Sequence, residues 1–127
     1  MANRGFSLSA IIMVGLVGAC GPLVDVTDVS EVSPEILAQA TRVQTFTLEQ
    51  GSPQNFTVVA PISAYSCKNK LYDPPASKGD ALIQLQLKAL ELGANAVVNV
   101  TFDTRGTDAL GTNCWETVQA SGIAVRY

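Results

Sequence analysis

The sequence predicts an α+β domain, with a small antiparallel or mixed sheet of about four strands packed by one main helix and held by one disulfide. Three observations predict it. An amphipathic stretch from about Lys78 to Leu92 places Leu82, Leu85, Ala89 and Leu92 at three- and four-residue spacing. Short Val-rich runs with strand-like alternation lie on both sides of that stretch. Two cysteines, Cys67 and Cys114, bracket the helix and the run that follows it.

Taken from the start, the chain opens with a short n-region containing Arg4, an apolar stretch from Phe6 to Val17, and small residues ending at Cys20. This is the pattern of a secretory signal rather than a membrane span. A span needs about 20 apolar residues, whereas this stretch breaks at Gly18 and again at Gly21-Pro22. Val17-Gly18-Ala19-Cys20 resembles the bacterial lipobox, an aliphatic residue and two small residues before a cysteine. The resemblance implies removal of residues 1–19, a diacylglyceryl thioether on Cys20 and a third acyl chain on its new amino group. Several chains anchor far more firmly than one. Gly21, rather than Asp, follows the cysteine, and within that class this favours the outer membrane, with the chain facing the periplasm.

Residues 20–42 are expected to be the lipidated cysteine and a flexible tether. Valines alternate there with Asp25, Asp28, Glu31 and Glu35, prolines stand at 22 and 34, and no period is sustained. Residues 34–40 form at most a marginal helix on their own. Fully extended, the tether reaches up to about 70 Å from the lipid.

The domain itself is expected over residues 43–127. Strand candidates run from Val43 to Leu48 and from Asn55 to Ile62, the second with Phe56, Val58, Ala60 and Ile62 on one face, and Gly51-Ser52-Pro53 turns between them. After Cys67 comes a polar surface loop whose Pro74-Pro75 excludes helix and central strand. Ser77 with Asp80 makes a capping-box-like start to the helix, and Gly93 ends it. Ile83, Leu87 and Leu90 widen its apolar stripe toward the sheet, leaving Gln84, Lys88 and Glu91 for water. Ala96 to Phe102 reads as a strand with Val98, Val100 and Phe102 on one side. A loop with Gly106 and Gly111 then delivers Cys114. In the last strand, Glu116 to Tyr127, the side of Val118 and Ala120 gives way to that of Ile123, Val125 and Tyr127, and Gly122 at the change marks a bulge or close backbone approach.

Composition excludes several classes of function. Without residues 1–19, seven basic residues stand against eleven acidic ones, a net charge of −4. Such a balance suits neither nucleic acid nor a polybasic membrane patch. The sequence has no histidine, which removes imidazole acid/base chemistry and the commonest metal ligand. Asp73, Asp80, Asp103, Asp108 and Glu116 are the acid/base candidates, scattered over loops and caps with nothing to pair them, so no enzyme, cofactor or metal is expected. With Cys20 lipidated, Cys67 and Cys114 form an even pair in an oxidising compartment, whose expected state is a disulfide. A reactive-thiol or metal role for the pair lacks histidine partners and a C-x-x-C spacing. Lys68 and Lys70 in the proline loop and Trp115 beside Cys114 are the candidates for partner contact.

In order along the chain, Ser66-Cys67, Pro74-Pro75, the helix, Gly93-Ala94-Asn95-Ala96-Val97 and Asn113-Cys114-Trp115 resemble the RcsF family of outer-membrane lipoproteins, over about residues 60–127. That resemblance implies a non-enzymatic sensor of envelope stress. It would relay damage by protein contact to an inner-membrane regulator of the Rcs phosphorelay, with an outer-membrane β-barrel as a further partner. Two departures stand out. The family's second cysteine pair is replaced by Phe102 and Ala120, and its long basic, proline-rich tether by a short acidic one. Ala-Asn-Ala-Val after a helix is also similar to other small lipoprotein and heavy-metal-binding-like domains, which implies instead a periplasmic binding module for a small ligand or another envelope protein.

Overall fold

The structure, a computed structural model, describes Pro22 and residues 24–127. The expected signal peptide and Cys20, the expected lipidation site, lie outside the described residues. Helix α1 spans Pro34–Ala40, strand β1 Gln44–Thr47, strand β2 Thr57–Lys68, helix α2 Lys78–Glu91, strand β3 Ala96–Arg105 and strand β4 Glu116–Arg126. The four strands form one mixed sheet in the order β1-β3-β4-β2. β1 runs parallel to β3, whereas β3 and β2 both run antiparallel to β4. The α+β plan with one main helix on a four-stranded sheet is therefore the observed one.

Helix α2 forms for the reasons its sequence gives. Ser77 accepts a hydrogen bond from the Asp80 N–H, satisfying one of the orphan donors of the first turn. Gly93, at φ +71, takes the left-handed conformation that stops the helix. The buried Ala81, Leu85 and Ala89 meet Ile62 and Ala64 of β2, Val97 and Val100 of β3, and Val118, Ala120 and Ala124 of β4 in one core.

The opposite sheet face is also covered at one end, where Ala96, Val98 and Val125 are buried beneath Phe46, Phe56 and Ile123. Val118, Ala120 and Ala124 thus share the helix side of β4, with Ile123 and Val125 behind them. The two sides of β4 anticipated from sequence are both buried, but they alternate without a change at Gly122, and the bulges lie on β2 and β3 instead.

Bulges move several residues from their expected faces. Asn99 adopts a left-handed φ of 55, and the register slips between Val98 and Thr101, so Val98 and Val100 lie on opposite faces instead of one. The parallel register with β1 slips at the same place. A further slip between Val58 and Ala60 turns Val58 outward, at 59% exposure, and brings Val59 to the core. Strict alternation cannot foresee an extra residue, because one insertion reverses every later position.

The larger difference lies before the sheet. The stretch expected to be a flexible tether carries a short 3-10 helix, Val29–Glu31, capped by Asp28, and then α1, capped by Ser33 with Pro34 in its first turn. α1 packs on α2 and buries Ala40 completely. Gln84, expected toward water, is 6% exposed. Its amide pairs both ways with the backbone of Thr27, which donates to Oε1 at 3.1 Å and accepts from Nε2 at 2.6 Å. Gln86 similarly donates to the Val43 carbonyl at 2.9 Å. A short helix is marginal alone, and here packing and side-chain amides on α2 stabilise the segment.

Replacing Gln84 by Ala should therefore release residues 24–28, at a cost of about 1–2 kcal/mol for two partly buried hydrogen bonds. Limited proteolysis should cut this segment faster in Gln84→Ala, and the melting temperature should fall by roughly 5–10 °C.

Candidate functional site

The disulfide end of the molecule gathers the expected contact residues. Cys67, one residue from the end of β2, bonds to Cys114, with Cα atoms 5.5 Å apart, and Cys114 is 1% exposed. Around the bond, hydrogen bonds tie the end of β2 and the loop after it to the segment that enters β4. The Trp115 N–H donates to the Lys68 carbonyl at 2.6 Å, and the Asn69 side chain donates to the Asn113 carbonyl. Asp108 and Cys114 form an isolated antiparallel bridge, and the Asp108 carboxylate accepts from the Gly111 N–H at 3.0 Å. The Cys67–Cys114 reading is thus the observed arrangement, and it places Lys68 and Trp115 side by side.

Trp115 is 47% exposed, so much of the indole faces outward. Lys70 is exposed in the proline loop. Sequence reasoning missed Leu71, Tyr72 and Leu110, which stand in the same two segments at 83%, 83% and 98% exposure. Bulky apolar residues inside segments otherwise read as polar loops were the signal available for them.

Asp73 organises the proline loop. Its carboxylate accepts from the backbone N–H groups of Asn69 at 3.0 Å and Lys70 at 2.8 Å, and these bonds hold its pKa below the ordinary carboxylate value. A depressed folded-state pKa stabilises the loop at neutral pH, and the effect is lost as pH falls through that depressed value. The protection of the Asn69 and Lys70 amides, measured relative to their intrinsic exchange rates at each pH, should therefore fall on acidification below the usual carboxylate range. Asp73→Asn should show the lower protection already at neutral pH.

The other acid/base candidates remain apart in their roles. Asp80 follows the cap of α2, and Asp103 pairs with the Arg105 guanidinium at 2.7 Å. That pairing raises the Arg105 pKa. Glu116 accepts from the Ala76 N–H at 3.2 Å. The carboxylates of Asp103 and Glu116 thus have structural partners, whereas Asp80 contributes its backbone N–H to the cap. Lys78 lies 5.7 Å from the centroid of the Phe102 ring, within cation–π range.

The Gly93 to Val97 motif is a packing junction. The Asn95 side chain donates to the Tyr127 carbonyl at 2.8 Å and accepts from the Tyr127 N–H at 3.1 Å. Its backbone N–H donates to the Val125 carbonyl, and its carbonyl accepts from the Gln44 N–H. Buried Ala94 and Ala96 flank it, where larger side chains would separate these strands. The Arg126 guanidinium closes the junction by donating to the Gly93 carbonyl at 2.7 Å.

Two grooves flank the 24–30 segment. One, of about 470 Å³, runs between Val24, Asp25 and Thr27, the Ser63–Tyr65 stretch of β2, and Gln84, Lys88 and Glu91 of α2. The other, of about 500 Å³, lies between Asp28 and the proline loop and reaches Cys67 and Asp80. The described residues offer little as a metal site. The sequence has no histidine, Cys67 and Cys114 are bonded to each other, and no three metal-ligating side chains cluster among the described residues.

No curated protein matches the chain significantly. Among solved structures it is similar to a crystal structure from Pediococcus pentosaceus, a protein of unknown function in the DUF74 family. The two are 16% identical, with 65% of this chain and 94% of that chain covered and a TM-score of 0.46. Residues 64–127, half of the chain, match the family described as "Putative heavy-metal-binding". They begin within β2 and take in α2, β3, β4 and both bonded cysteines, and the chain belongs to that family.

Proposed function

We propose that this chain is an outer-membrane-anchored lipoprotein, facing the periplasm, that senses envelope stress. It relays the stress by protein contact to an inner-membrane regulator of a phosphorelay, as the RcsF-like landmarks imply. The observation that carries the reading is the Cys67–Cys114 bond. A structural disulfide belongs to an oxidising compartment, in keeping with export under the lipobox at Cys20. Phe102 and Ala120 add support. They are direct cross-strand partners on β3 and β4, and they occupy the two positions at which the RcsF-like pattern has its other cysteine pair.

The heavy-metal description of the family finds no matching donor set here. Soft ions are held by thiolates and imidazoles, and the described domain has its two cysteines in a disulfide and no histidine. An anchored domain acting through Trp115, Lys68, Lys70 and the exposed loops around them fits these residues better.

The test is deletion of the gene followed by damage to the outer membrane, with a phosphorelay reporter as the readout. Loss of induction, restored by the wild-type gene and not by Cys20→Ala, is the expected result, and labelled palmitate should enter the wild-type protein but not Cys20→Ala. Undiminished induction in the deletion strain would sink the proposal. The two grooves beside the 24–30 segment favour a second reading, a periplasmic binding module. A small molecule that co-purifies with the protein, together with unchanged signalling, would favour it.

A further inference from the structure

We propose that the outer edge of β2 takes up an extended, lysine- or arginine-bearing segment of a partner protein as an added strand. The proposal rests on the reading of the chain as one that acts by protein contact.

β2 lies at the end of the sheet and pairs only with β4 among the described strands. It is twelve residues long, against four for β1 at the other end. An unpaired edge of that length is a template for another chain unless something covers it. Pro61 fixes which backbone groups point outward. It has no N–H to give, so its place in the ladder opposite Ile123 is one whose nitrogen faces away from β4. Every second residue from it, Ser63, Tyr65 and Cys67, then turns its N–H and C=O to the open side. The Ser63 carbonyl bears this out by accepting from the Lys88 ammonium, on α2, at 3.0 Å.

Residues 24–27 run beside this edge without joining it. They make no ladder with β2, and the groove of about 470 Å³ separates them from Ser63, Ala64 and Tyr65. That leaves a slot with a backbone wall on one side and the 24–27 segment on the other. Its charge selects the occupant. Asp25 and Glu91 line it, while Lys88, the cation among its lining residues, is already engaged with Ser63. A strand carrying Lys or Arg at alternate positions would satisfy the outward backbone groups that Lys88 leaves open and the two carboxylates together. A second copy of this acidic chain would instead bring like charges into the slot.

The probes are three synthetic peptides of about eight residues, enough to span the slot: alternating Lys-Val, alternating Glu-Val, and Lys-Val with every second backbone nitrogen methylated. Each is titrated into the purified full-length protein, with amide NMR and hydrogen exchange as the readouts. The Lys-Val peptide should slow exchange at Ser63, Tyr65 and Cys67 by about tenfold or more, while Ala64 and Ser66, already paired to β4, change little. The Glu-Val peptide should bind at least about tenfold more weakly, and Asp25→Lys with Glu91→Lys, both at exposed positions, should reverse that preference. Three results would overturn the proposal: undiminished binding of the methylated peptide, effects confined to Leu71, Tyr72, Leu110 and Trp115, or pairing of β2 with a second copy of the chain. Because the assay uses no envelope signalling, it can fail while the stress reading stands, and the reverse.

Discussion

Reduction of the Cys67–Cys114 bridge is expected to lower the stability of the domain by about 4 kcal/mol, the loop-closure value for the sequence separation of 47. The loop closed by the bond contains α2 and β3, so the reduced unfolded chain regains freedom over much of the fold. In the folded state the bond joins the last turn of the ladder on β2 to the loop that enters β4. The Trp115–Lys68 and Asp108–Cys114 backbone contacts remain there when it is broken. The loss should therefore fall mainly on the unfolded state, and the native fold should survive reduction at low temperature. For a domain of this size the melting temperature should drop by roughly 20 °C. Thermal unfolding with and without reductant checks this, and Cys67→Ala with Cys114→Ala should reproduce the reduced protein without leaving a free thiol. An unchanged melting temperature would remove the bond from the stability account. Under the proposed function, the double variant should also signal more weakly at growth temperature.

What could be read from the sequence was what local chemistry decides. The Ser77 cap, the leucine and alanine stripe and Gly93 are all short-range signals, and α2 starts and stops where they say. The disulfide was legible because only two cysteines remain once Cys20 is set aside, and it brought Lys68 and Trp115 together as a consequence. Features that depend on distant partners were not legible. The polar Gln84 looks like a solvent-facing residue until Thr27, fifty-seven positions away, supplies a backbone amide for it. The parallel pairing of β1 with β3 needs a crossover that no local pattern announces. Asn99 carries a side chain that tolerates left-handed backbone, but nothing in a Val-rich run says that it will. From that single residue onward, the expected faces of β3 were reversed.

Replacement of Gly122 by Val is expected to destabilise the sheet strongly. Gly122 sits opposite Ile62 on one side and opposite the Asn99 bulge on the other. A Cβ there would lie 2.5 Å from Val97 Cγ1, 3.0 Å from the Val98 carbonyl oxygen and 3.4 Å from Val100 Cγ2. Val97 and Val100 are 0% and 4% exposed and packed beneath α2, so neither can swing into open space. Even Gly122→Ala should cost about 1–3 kcal/mol from overpacking, and Val, with two further methyl groups, should cost more. A double-mutant cycle separates side-chain from backbone conflict, because the three close atoms are of both kinds. If the Val97 methyl dominates, Val97→Ala should recover part of the loss in Gly122→Ala, giving a coupling of about 0.5–3 kcal/mol in urea unfolding. The recovery should remain incomplete, since the Val98 carbonyl belongs to the bulged backbone and moves only if Asn99 leaves its left-handed conformation. Full additivity of the two losses would instead place the conflict in that backbone, and the bulge, rather than the valine packing, would be what requires glycine at 122.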